Sequence, residues 1–203
     1  MRNMRKFPST PKKGDRLLRS SDDDWLTAMF APDPVLREVC LWRGYMKAGA
    51  ALINEAQRQP LHRNLLLYPI LFNYRHGLET AMKWIIELYG WLGNVERDER
   101  DQHDLLALWR KCRTIFESVP ELDGDEALEG VEQVVKDFHD TDKNAASFRY
   151  TKNQNGVMIK LPDKSIHLQN MRDVMEAVDN FFHEAYLLLS DIVLTQTEEG
   201  GSS

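Results

Sequence analysis

The run from Tyr68-Pro69 to Gly93 does most to limit what this chain can fold into, because its apolar residues recur at the period of an α-helix. Wound at about 100° per residue, Ile70, Tyr74, Gly77, Leu78, Ala81, Trp84, Ile85 and Leu88 fall in one sector. Arg75, His76, Glu79, Thr80, Lys83 and Glu87 fall together on the other side. A helix this long with a continuous apolar face has to bury that face against other elements.

The rest of the chain supplies helices to do so. Asp33-Pro34 is an N-cap and first-turn pair, and it opens a helix that Pro60 ends after Gln59. Its apolar residues include Val35, Val39, Leu41, Trp42, Tyr45, Met46, Ala50 and Ile53. A third helix is expected from about 101 to 119, with Leu105, Leu106, Leu108, Trp109, Cys112, Ile115 and Phe116 on its buried side. A shorter acidic one, capped by Asp123 or Asp125, should reach about His139. The last is expected over 168–194, where Met171, Met175, Val178, Phe182, Ala185 and Leu189 belong to one stripe.

Between the fourth and fifth helices the period changes. Phe148 to Thr151 and Val157 to Leu161 flank Asn155-Gly156, a pair that supplies the positive φ angles of a tight turn and so predicts a β-hairpin. The expected fold is therefore mainly α, a bundle of about five helices with a small β-hairpin inserted before the last. Residues 1–24 are expected to form a disordered or extended basic arm, 25–195 the helical domain and 196–203 a flexible tail.

Charge and cysteine content narrow the function classes. Seven basic residues against Asp15 give residues 1–20 a charge of +6, which leaves −12 on the remainder of a chain whose formal net charge is −6. Such an arm can contact phosphates through counterion release, although basic termini are also commonly just solvated. Cys40 and Cys112 stand alone in apolar helical patterns, without metal-ligand spacing, so a reducing compartment is expected and neither a metal nor a cofactor. No apolar run is long enough for a membrane span, and the chain is expected to be cytoplasmic.

The candidate site is the polar side of the opening helix. Arg75 is suited to a phosphate, His76 to proton transfer and Glu79 to orienting either of them. The same residues also suit a solvated face with a Glu79 to Lys83 pair at i,i+4. His103 precedes Asp104-Leu105-Leu106 and serves either as a helix cap or as a further proton-transfer group, provided Arg75 or Arg149 reaches it. The candidate catalytic set is Arg75, His76, Glu79 and His103, with Arg149 and Lys83 as candidate RNA contacts. On the last helix, Asp179 and His183 are i,i+4 neighbours that more commonly form a surface pair.

The order of Tyr74-Arg75-His76 with Leu78-Glu79, then His103-Asp104-Leu105-Leu106, then Phe148-Arg149-Tyr150 before a long closing helix, resembles HEPN-domain proteins over residues 34–195. That resemblance implies a helical bundle, commonly dimeric, from bacterial toxin–antitoxin, antiviral-defence or RNA-processing settings. Active members are metal-independent endoribonucleases with an arginine and histidine spaced Arg-x4-6-His on the closing helix. Here the closing helix carries Arg172 and His183, which are too far apart, and the spacing occurs only in Arg97 to His103, in an acidic loop and the start of the third helix. Two functions follow as expectations. One is a non-catalytic module that dimerises or binds a partner protein; the other is an RNA-binding protein or endoribonuclease.

Overall fold

The computed structural model describes residues 10–18, 28–96, 98, 103–124, 126–143, 145–162 and 165–200, for the last five the backbone alone. The chain divides into two units, residues 1–31 and 32–203. In the first, Lys12 donates its backbone N–H to Asp15 Oδ2 at 2.7 Å, and Asp15 returns one to the Lys12 carbonyl at 3.1 Å, closing a turn. Most of the expected basic arm lies outside the described residues, as do Asp125 and all of the Arg97 to His103 segment except Asp98 and His103.

The second unit holds five α-helices among the described residues: α1 Pro34–Arg58, α2 Arg63–Tyr89, α3 Leu105–Glu117, α4 Glu126–Thr141 and α5 Leu168–Gly200. Asp33 caps α1, its carboxylate accepting from the Leu36 N–H at 2.8 Å, with Pro34 in the first turn. The face α1 buries is Trp42, Met46, Gly49, Ile53 and Ala56. Val35 and Leu41, expected on that face, are exposed.

Helix α2 runs through the middle of this unit, with ten of its residues between Tyr74 and Ile86 buried on every side. It starts at Arg63, earlier than the Tyr68-Pro69 start expected from the proline. Pro69 stands on an exposed turn, where the carbonyl its ring leaves unpaired can be hydrated. Helix α3 is capped by Asp104, not His103, through bonds of 3.0 and 3.1 Å from the Leu106 and Ala107 N–H groups. It buries the expected Leu105, Leu108, Trp109, Cys112, Ile115 and Phe116.

Edge-to-face rings tie the helices together. Phe182 of α5 lies 6.4 Å from both Trp42 of α1 and Trp109 of α3, and 6.3 Å from Phe116. Truncating either tryptophan to alanine removes a side chain this deep in the core, at a typical cost of about 3–5 kcal/mol. Helix α5 continues to Gly200, past the expected end at Leu194 and through most of the expected tail.

The β-hairpin is not formed. Its turn closes, with Gly156 at φ +76° and bonds of 2.9 Å from Gly156 N–H to the Asn153 carbonyl and from Asn153 N–H to the Val157 carbonyl. Beyond it, pairing is confined to one antiparallel bridge between Lys152 and Met158, and no strand occurs among the described residues. Val157 and Met158 are about 60 % exposed, so no buried face draws the two arms into a ladder.

Candidate functional site

The polar side of α2 is not a solvated stripe. Arg75 and Glu79 are 3 % and 2 % exposed, enclosed by the turn ahead of α3 and the loop that follows α4. Each nitrogen of the Arg75 guanidinium donates: Nη1 to Glu79 Oε2 at 2.7 Å, Nη2 to the His103 carbonyl at 2.8 Å and Nε to the Asp142 carbonyl at 3.2 Å. The Asp142 carboxylate adds an ion pair, its Oδ2 lying 3.4 Å from Arg75 Nε.

Asp142 is the member that the sequence reading missed. Its backbone N–H continues the α4 pattern to the Phe138 carbonyl at 2.8 Å, and its Oδ1 accepts from the Ala146 and Ser147 N–H groups, each at 2.8 Å. The carboxylate thus folds the following loop about itself while holding Arg75. The only local signal was a short acidic side chain three residues ahead of Ala145-Ala146-Ser147, a pattern shared by any turn that hydrogen-bonds its own backbone.

At the rim of the network, Glu79 Oε1 takes both Lys83 Nζ at 2.6 Å and His103 Nδ1 at 3.0 Å. Burial alone would push the Glu79 carboxyl up. The Lys83 bond and charge, the Arg75 charge and the His103 bond outweigh it and hold the group below its ordinary value, so it is ionised. Two buried anions, Glu79 and Asp142, therefore face two cations, Arg75 and Lys83. His103 is the open member, its side chain 54 % exposed.

His76 and Arg149 belong to an adjoining cluster, as the angle of about 100° between neighbouring helix positions requires. The His76 ring stacks on Phe72 at 5.6 Å and 8° and meets Tyr45 edge-on at 4.4 Å. Burial lowers the His76 pKa; Glu79 opposes this, and Lys83, Arg75 and Arg149 add to it. Arg149 is exposed, donates from Nε to the Ala145 carbonyl at 3.0 Å, and lies 5.7 Å from the Phe72 centroid and 5.2 Å from that of Tyr150.

Of the six residues singled out from sequence, Arg75, Glu79, Lys83 and His103 thus converge on one network, and His76 and Arg149 stand beside it. The surface pair expected on α5 is absent. Asp179 is buried and faces Arg43 of α1 at 3.4 Å, while His183 Nδ1 is buried and makes no hydrogen bond among the described residues.

Compared with family models, with curated proteins and with solved structures, the chain matches none. Among the described residues, no helix is long and apolar enough to cross a membrane, and no group of three or more His, Cys, Asp or Glu side chains is arranged to hold a metal ion.

Proposed function

We propose that this chain is a HEPN-like helical protein of a bacterial stress or antiviral-defence setting, working in the cytoplasm as a non-catalytic module that dimerises or binds a partner protein. The observation that carries the reading is the state of Arg75. All three guanidinium nitrogens donate inside the protein and the side chain is 3 % exposed, so it is not presented to a phosphate. A charge so enclosed fixes how α2 meets the α3 turn and the α4 loop, a role buried ionic groups serve in some proteins.

His103 supports a second reading, a metal-independent endoribonuclease or RNA-binding protein. An imidazole that is more than half exposed and held on a buried carboxylate is suited to proton transfer, which supports that reading. Arg149 beside Tyr150 would then contact the RNA, with Lys83 near the reacting phosphate. Incubating the purified chain with single-stranded RNA in the presence of a chelator separates the two readings. The module reading expects no cleavage, and a lowered melting temperature for Arg75→Ala. Cleavage that His103→Ala abolishes at an unchanged melting temperature establishes the enzyme instead. Sedimentation at micromolar concentration should give a dimer mass for the chain alone or with its partner; a persistent monomer that captures no partner defeats the module.

A further inference from the structure

A second polar region lies on the far side of Tyr74, away from the Arg75 network. A groove of about 420 Å³ runs between α1 and α5, with Tyr74 of α2 among its lining residues. Gly49 of α1 makes room for that tyrosine: a Cβ there would stand 2.7 Å from the ring. The Tyr74 side chain is 1 % exposed, yet its hydroxyl has no hydrogen-bond partner among the described residues.

The other polar groups of the groove are also incompletely satisfied. Arg172 gives Nη1 to Asn54 Oδ1 at 2.7 Å, but its buried Nε makes no hydrogen bond, Asp173 being 3.7 Å away. Arg43 reaches Asp179 Oδ2 at 3.4 Å with Nη2, while Arg43 Nε and Asp179 Oδ1 are buried without partners. Three donors and one acceptor, themselves closed to solvent but on residues that line one groove, are thus left over. A buried polar group without a partner is uncommon enough in folded proteins to require an explanation.

The leftover set has a definite complement. Two guanidinium N–H groups and a phenol O–H match the lone pairs of one carboxylate. The free Asp179 oxygen asks for a donor on the same ligand. Arg43, Lys47 and Arg172 against Glu176 and Asp179 leave one positive charge in the lining, which favours a ligand of charge −1. We propose that the groove binds a small hydroxy acid, its carboxylate taken by Arg43, Arg172 and the Tyr74 hydroxyl and its own hydroxyl donated to Asp179. Because the leftover atoms are closed to solvent, binding requires the side chains of the exposed lining residues Lys47, Glu176 and Asn180 to swing aside. Burial pushes the Tyr74 pKa up to about 12, which keeps its hydroxyl a donor.

The test uses the full chain and the arginine Nε–H signals in a nitrogen–proton NMR spectrum, with L-lactate as probe and acetate and L-serine as comparators. Lactate should shift the Arg43 and Arg172 signals saturably, and acetate, lacking the hydroxyl, should bind at least about tenfold more weakly. Tyr74→Phe should weaken lactate by about tenfold. Asp179→Ala, read as well in case the tyrosine variant fails to fold, should erase the preference of lactate over acetate. Unmoved arginine signals, equal binding of lactate and acetate, or stronger binding of L-serine than of lactate each overturn the proposal.

Discussion

Arg75 shows how one side chain can mislead a reading from helical period alone. Its angle on α2 sets it at the edge of the polar side, beyond the apolar sector of Ile70, Tyr74 and Leu78, where a helix resting on one layer would meet water. Here it meets Asp142 and the His103 carbonyl. The cost of keeping a guanidinium out of water is offset by three hydrogen bonds and two carboxylates, and it reappears when one partner is removed. Glu79→Gln and Arg75→Met should each lower the unfolding free energy by about 3–5 kcal/mol. The double variant Arg75→Met with Glu79→Gln should cost less than the two single losses added, by roughly 0.5–3 kcal/mol. Urea denaturation of the four proteins measures this coupling; strict additivity would mean that the two side chains do not act as a pair.

At the scale of elements, the close approach of α1 and α2 rests on small residues. A Cβ at Gly49 would collide with the Tyr74 ring, and one at Gly77 would lie 3.2 Å from the Met46 side chain. Gly49→Ala should therefore destabilise by about 1–3 kcal/mol, although alanine is by itself the better helix former by roughly 1 kcal/mol. In a Tyr74→Leu background the collision is relieved and the helix preference remains, so the same substitution should be neutral or stabilising. Thermal melts of the four combinations show whether the sign changes; an equal loss in both backgrounds would place the strain elsewhere.

The helices were legible because each carries its own period and punctuation: Asp33-Pro34 starts α1, and the spacing of Leu105, Leu108, Trp109 and Cys112 defines α3. The hairpin was not, since Asn155-Gly156 specifies a turn but says nothing of whether a buried surface waits for its arms. Pro69 misplaced the start of α2 because the exposure of that turn depends on tertiary packing. Much the same holds for the site. Arg75, Glu79 and Lys83 lie at i,i+4 intervals on one helix and could be grouped from sequence, whereas Asp142 is 67 residues from Arg75 and joins it only through the fold.

For the whole molecule, these buried groups make stability depend on acid in a defined direction. His76 and Glu79 both have folded-state pKa values below their ordinary ones, so at these two sites the folded protein binds fewer protons than the unfolded chain. Each contributes stability that is present above its unfolded pKa and lost as pH falls through the folded one. For His76 the loss begins below about pH 6.5, and for Glu79 below about pH 4.3. Asp179 acts oppositely: burial raises its pKa despite Arg43, so its contribution is present at low pH and is lost as pH rises through the folded value. Urea midpoints taken between about pH 7.5 and 5.5 should therefore fall for the wild type. His76→Phe, which keeps a ring on Phe72 and removes the titrating group, should show a smaller fall over that interval. Asp179→Asn should gain stability relative to the wild type towards neutral pH. An identical fall for the wild type and His76→Phe would assign the acid sensitivity to other groups, and a loss of stability for Asp179→Asn at neutral pH would show that its pairing with Arg43 outweighs the cost of burying its charge.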